Sequence, residues 1–229
     1  GFMIAVGFLI AVRSASRRAR AIGISPDQIQ SLCLLILFTG LVGARLGYVL
    51  LHGSFYWAHP IEIFRIDHGG LVFYGGLGAG MISAFLYMRS KQLPVLSTLD
   101  LLIPRVVLAH AIGRIGCFLN GCCYGIETNL PWGVIFPPEV VHRHPTQLYE
   151  VGALLVLFGI LRRLEGRSRL PGTGLATYGL LYGLWRFGLE FLRGDNPAVA
   201  WGLSVFQWAS LPLFLFCAGW LLIRRLGPR

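Results

Sequence analysis

The chain has 229 residues, of which 55% are apolar and only 13% charged, and its formal net charge is +10. A water-facing domain carries about a quarter charged residues, so this composition excludes an ordinary soluble protein. The apolar residues come in long blocks rather than at amphipathic spacing, as in helices solvated by lipid.

In chain order, the first block, 1–13, opens at Gly1 inside an apolar run. No basic region precedes it and no small-residue cleavage site follows, so it does not read as a signal peptide. We expect instead that the true N-terminus has been lost. Further blocks fall at 29–51, 70–88, 98–119, 147–162, 173–192 and 203–224, which predicts an all-α polytopic membrane protein of about seven transmembrane helices. Little chain remains for a separate soluble domain, so residues 1–229 read as a single integral-membrane domain.

Charge alternates between the connections. Arg13, Arg17, Arg18 and Arg20 follow the first block, and Arg89 and Lys91 follow the third. Arg162, Arg163, Arg167 and Arg169 follow the fifth, and Arg224, Arg225 and Arg229 the last. The opposite connections hold only Arg65, Arg143 and Arg193. Basic loops mark the cytoplasmic side, so the N-terminus is expected in the periplasm and the C-terminus in the cytoplasm. The high pI is thereby explained by topology, and no nucleic-acid partner is expected.

Arg45, Arg105, Arg114 and Arg186 lie inside apolar blocks, where a central Arg costs about 2.5–3.5 kcal/mol. Under this topology Arg45, Arg114 and Arg186 share the periplasmic leaflet, while Arg105 lies near the cytoplasmic end and can snorkel. Three guanidiniums at one depth call for an anion among them, and Glu190, one turn after Arg186, supplies only one carboxylate. Separate helix-tying ion pairs are one explanation. A phosphate gripped by Arg, in the outer leaflet a phospholipid headgroup, is the other. The glycine-dense segment Gly69–Gly80 looks too irregular to be wholly helical, and irregular backbone at membrane depth lines polar cavities.

Three stretches carry a resemblance: Gly113-Arg114-Ile115-Gly116-Cys117-Phe118-Leu119-Asn120-Gly121, His144-Pro145-Thr146-Gln147-Leu148-Tyr149-Glu150, and Arg186-Phe187-Gly188-Leu189-Glu190-Phe191-Leu192-Arg193. Together with the runs Gly43–Leu50 and Gly69–Gly76, in that order and over nearly the whole chain, they resemble the prolipoprotein diacylglyceryl transferase family. The resemblance implies a transferase of the bacterial inner membrane with its site on the periplasmic side. It would move diacylglyceryl from phosphatidylglycerol to the lipobox cysteine of a preprolipoprotein signal peptide, releasing glycerol 1-phosphate, with no metal or organic cofactor. By position in the family motifs, Arg114 and Arg186 are implied as a phosphate clamp with Tyr182 beside them. Asn120 and Gly125 match a loop over the headgroup. His144, Glu150, Glu190 and Arg193 match further substrate-binding positions, and Arg45 joins them as a candidate. For Glu150 a purely structural ion pair is an equal reading.

The chain also departs from the family pattern. The usual Phe-His-Gly-Gly is Phe73-Tyr74-Gly75-Gly76, which puts Tyr74 where the proposed base histidine stands, although a phenol titrates near 10 against about 6.5 for imidazole. His68 and His110 are alternative bases. Cys117 and Cys122 replace the usual Asn and Glu and form a cluster with Cys123, open to three readings: a disulfide, a metal site, or small packing groups. Cys33 and Cys217 read as packing. A phospholipid-binding paralogue, a transferase using another acceptor, and a transporter are the alternatives. Charge gathered in one leaflet without an internal repeat speaks against the last.

Overall fold

The protein is described from a computed structural model that covers residues 1–65, 69–166 and 170–226, with the backbone alone at 224–226. His68, Arg167, Arg169 and Arg229 therefore lie outside the described residues. The fold is mostly helical: α1 (Phe2–Ala19), α2 (Pro26–Leu51), the short α3 (Gly53–Ala58), α4 (Phe73–Ser90), α5 (Val95–Leu119), α6 (Thr146–Leu164), α7 (Thr173–Glu190) and α8 (Val205–Leu226). Two small antiparallel ribbons interrupt them, β1 (Val134–Ile135) with β2 (His142–Arg143), and β3 (Ala198–Ala200) with β4 (Leu203–Ser204).

Every predicted block is a helix of 18 residues or more. Among the described residues, Pro26–Leu51, Val95–Leu119 and Val205–Ile223 are long and apolar enough to cross a membrane. The burial pattern is inverted relative to a soluble protein. Phe38 and Leu50 point outward at 68% and 80% exposure, while Arg45, Arg105, Glu150, Arg186 and Glu190 are buried. That distribution suits a lipid solvent, which accepts apolar surface and drives polar groups inward.

Two compact units divide the chain, Ser16–Val95 on one hand and Gly1–Ala15 with Leu96–Arg229 on the other. In the first, α2 begins at a capping box, in which Ser25 Oγ accepts from Gln28 N–H while Gln28 Oε1 accepts from Ser25 N–H. The two reciprocal bonds satisfy backbone donors that a helix start leaves open. Helix α2 then packs on α4 through facing glycines. A Cβ at Gly75 would collide with the Gly43 carbonyl oxygen, and one at Gly43 with Ala79 Cβ. Small residues allow such backbone approach where no hydrophobic effect drives helices together. The glycine-rich segment is thus not wholly helical: residues 69–72 lie outside the helix, with Gly69 and Gly70 at φ of 79° and 78°, and the helix runs from Phe73 onward. Its glycines serve close packing rather than a broken helix.

In the second unit, Val107, Ala111, Leu154, Leu157 and Leu161 form a core joining α5 to α6, with Tyr178, Leu181 and Tyr182 of α7 against it. Helix α1 reaches α5 where Gly116 leaves room for Met3. The start of α7 is fixed by α5: both carboxylate oxygens of Asp100 accept backbone N–H bonds, from Gly172 at 2.6 Å and Leu175 at 2.8 Å. A carboxylate there satisfies open donors and favours the positive end of the helix. Arg105 does not snorkel. It is 2% exposed, pairs with Glu165 at 2.6 Å and donates to the Leu101 carbonyl at 2.7 Å. An internal carboxylate makes burial cheaper than a reach to the interface.

Gly75→Ala is expected to disrupt the α2–α4 packing by about 1–3 kcal/mol, the usual cost of overpacking. Thermal unfolding in detergent checks this: a clearly lowered midpoint is expected for Gly75→Ala, and none for Gly78→Ala, where a Cβ meets open space.

Candidate functional site

The candidate site is built by α5, α6 and α7 within the second unit. Four-residue spacing puts His110 and Arg114 on one face of α5, and Tyr178, Tyr182, Arg186 and Glu190 on one face of α7. Glu150, in the second turn of α6, stands between these faces and is 1% exposed.

Its carboxylate is the meeting point. Tyr182 donates its hydroxyl to Glu150 Oε1 at 3.0 Å, and His110 Nε2 lies 3.6 Å from the same oxygen. Arg114 Nε stands 2.8 Å from Oε2. This is a close charge contact rather than an aligned hydrogen bond, because the N–H is not aimed at the oxygen. A buried carboxylate demands such partners, since isolated ionisation away from water is prohibitive.

A second buried pair lies one helix along. Arg186 Nη2 is 2.8 Å from Glu190 Oε2, and Ser204 donates to Glu190 Oε1 at 2.7 Å. The Arg186 guanidinium also sits over the Phe206 ring, 4.8 Å from its centroid. Its other terminal nitrogen, Nη1, is buried with no hydrogen-bond partner among the described residues. An unpaired buried guanidinium donor is costly unless a ligand accepts from it. Both Arg114 and Arg186 are within electrostatic reach of His110.

Loops close the end of this cluster. Arg193 holds Asp195 bidentately, with Nε–Oδ1 at 2.9 Å and Nη2–Oδ2 at 2.5 Å. Burial works against the Arg193 charge, but the Asp195 hydrogen bond and charge outweigh it, and the guanidinium is held more firmly protonated than usual. Asp195 correspondingly sits below the ordinary carboxylate range: burial raises it, and the Arg193 hydrogen bond lowers it further. Gly125 marks a crossing of three segments. Its N–H donates to the His144 carbonyl at 2.8 Å, it bridges to Arg193, and a Cβ there would strike the Leu192 carbonyl, His144 and Thr146. His144 Nδ1 contacts the Tyr149 hydroxyl at 3.1 Å, which in turn accepts from Trp132 Nε1 at 2.8 Å. Asn120 stands exposed just beyond α5.

The second unit therefore brings Arg114, Tyr182, Glu150, Arg186, Glu190, Arg193, Gly125 and His144 onto three helix ends and the adjoining loops. Tyr74 and Arg45 belong to the other unit. Tyr74 is 53% exposed near the start of α4, against Phe73. Arg45 is 5% exposed, and its guanidinium donates five bonds of 2.5–3.1 Å to the carbonyls of Glu62, Ile63, Arg65, Gly69 and Gly70. With those donors committed to backbone, its place is that of a loop staple rather than the phosphate contact expected of it. Cys117, Cys122 and Cys123 are free thiols, not a disulfide.

Sequence reading passed over Asp195, Ser204 and Tyr178. Tyr178 was recoverable from its spacing to Tyr182, whereas the partners from 195 and 204 depend on loop paths that no local pattern encodes.

Taken together, fold and site define a helical membrane protein with two arginine–carboxylate pairs, Arg114–Glu150 and Arg186–Glu190, on neighbouring helices. The family model of prolipoprotein diacylglyceryl transferase matches residues 1–223. The chain belongs to that family, a family of transferases. A phosphatidylglycerol–prolipoprotein diacylglyceryl transferase of Clostridium tetani is 38% identical over 216 residues, covering 92% of this chain and 86% of that protein. A protein of the same name from Nitratidesulfovibrio vulgaris is 37% identical over 237 aligned positions, covering 99% and 89%. Another, from Geobacter sulfurreducens, is 38% identical over 229, covering 94% and 86%.

The loop next to the site carries a pH signature. The Arg143 hydrogen bond at 3.0 Å, followed by the Tyr124 hydroxyl at 3.1 Å, holds Glu139 below the usual carboxylate range. A lowered folded pKa gives stability that is fully present above about 4.3, the ordinary glutamate value, and lost as pH falls through the folded value. Acidification should therefore speed hydrogen exchange around β1 and β2. In Glu139→Gln that acid-side change is expected to flatten, and an unchanged profile would remove Glu139 as its source.

Proposed function

We propose that this chain transfers diacylglyceryl from phosphatidylglycerol to the lipobox cysteine of a preprolipoprotein, using the α5–α6–α7 cluster. Seven spans, a periplasmic N-terminus, a cytoplasmic C-terminus and a periplasm-facing site in the inner membrane complete the reading, supported by the charge alternation of the loops.

In the reaction the acceptor S–H gives up its proton, a C–S bond forms at the glyceryl carbon, and the C–O bond to phosphate breaks. Glycerol 1-phosphate leaves with the bonding electron pair. Thiolate is the competent nucleophile, so a proton acceptor is required. Negative charge grows on the departing phosphate, where preset guanidiniums stabilise the transition state. The observation that carries the assignment is the buried, unpartnered Arg186 Nη1, in a site where Arg114 already has its carboxylate. Arg114 and Arg186 clamp the phosphate. Glu150 and Tyr182 hold Arg114 in place, and Glu190 with Ser204 holds Arg186. Asn120, Gly125, His144 and Arg193 form the headgroup margin. For the proton acceptor, Tyr74, His68 and His110 are the candidates, and His110 is the one that stands beside Glu150.

The purified protein, given phosphatidylglycerol vesicles and a synthetic lipobox peptide, should yield a peptide heavier by one diacylglyceryl group. Arg114→Ala and Arg186→Ala should each slow this by about 10²–10³-fold, as for loss of an oxyanion donor. Unimpaired turnover in both variants, with thermal midpoints preserved, would refute the clamp. His110→Asn, His68→Asn and Tyr74→Phe assign the acceptor: the residue whose loss removes the rate rise with pH holds the role.

A further inference from the structure

One cluster lies outside every role assigned so far. The sulfur atoms of Cys117, Cys122 and Cys123 all lie within 4.8 Å of one another, the one such group of potential metal donors among the described residues. Cys117 is near the end of α5, three residues after Arg114, and the other two lie in the loop that follows.

We propose that Cys117, Cys122 and Cys123 form a three-thiolate site for a thiophilic divalent cation of the zinc class. Thiolates held about 2.3 Å from one zinc ion at tetrahedral angles stand about 3.8 Å apart. Cys122 Sγ and Cys123 Sγ are 3.7 Å apart. Neighbouring residues in an extended chain send their side chains to opposite sides. Here Cys123 has a φ of 64°, a left-handed conformation uncommon for a residue with a Cβ. That turn lets two consecutive sulfurs face one point, and strain of this kind collects at ligand sites.

The frame is set without the cation. Cys122 N–H donates to the Cys117 carbonyl at 3.1 Å, which closes the turn between them. The start of α6 fixes the loop from outside: Gln147 donates to the Cys122 carbonyl at 2.6 Å and Thr146 to the Cys123 carbonyl at 2.9 Å. Both side chains are 1% exposed. Cys122 and Cys123 also line a cavity of about 450 Å³ with Arg143 and Asp195, which has room for a fourth ligand.

Binding releases the three thiol protons to solvent and oxidises nothing. Three thiolates on a dication leave one net negative charge, and Arg114 and Arg193 are within electrostatic reach of Cys117 and Cys123 respectively to offset it. The bound cation ties the loop to the helix that carries Arg114.

The full chain, reduced in detergent and then freed of reductant, is titrated with Zn²⁺ and its metal content measured after desalting. Co²⁺ in a parallel titration reports thiolate bonding through its charge-transfer band. One cation per chain is expected, with that band, and with Cys117, Cys122 and Cys123 protected from alkylation in an intact-mass count. Cys117→Ser, Cys122→Ser and Cys123→Ser should each weaken binding at least 100-fold, while Cys33→Ser and Cys217→Ser leave it unchanged. Absence of the band, equal loss in Cys33→Ser, or a disulfide within the trio that forms despite added Zn²⁺ would overturn the proposal. The wild-type titration and thiol count stand even if a variant does not fold.

Discussion

A single buried carboxylate organises the unit that carries the candidate site. Glu150 is almost wholly withdrawn from solvent, and its two oxygens are shared by an arginine and a histidine from α5 and a tyrosine from α7. In a medium that cannot solvate ions, removing one member leaves the others uncompensated, a far larger penalty than the loss of a surface pair. The helices are thereby held at a spacing that apolar packing alone would not specify, because lipid competes equally for apolar faces. The same demand that orders these helices also fixes the position of Arg114.

Electrostatics sets the site, but backbone contacts set the frame. Asp100 caps α7 from α5 and so fixes the axial position of the helix bearing Tyr182, Arg186 and Glu190. At the other end, Gly125 lets the loop, the start of α6 and the end of α7 meet at backbone distance. The helix bearing Arg186 and Glu190 is thus held between a carboxylate cap and a glycine crossing.

The helices were legible in sequence because lipid imposes a long apolar run on each, and a run of that length has few other interpretations. The cluster was legible in part. Arg114, Arg186 and Glu190 announce themselves as charges inside such runs, and Tyr182 by its four-residue offset. Arg45 and Arg105 gave the same signal yet have structural partners, five loop carbonyls and Glu165 respectively. An intramembrane charge shows that a partner exists without saying which. The Gly69–Gly80 segment divides for a related reason: glycine weakens a helix in water, but between two helices it is the residue that permits contact, so the part from Phe73 onward is helical. The pairings of Asp195 and Ser204 rest on the course of irregular chain, which periodicity cannot follow.

Arg45 holds its loop through main-chain oxygens, and such oxygens are present whatever the side chains. The carbonyls of Glu62, Ile63 and Arg65 are therefore held whichever side chains those residues carry, whereas Gly70 is not free to change, since a Cβ there would meet the guanidinium itself.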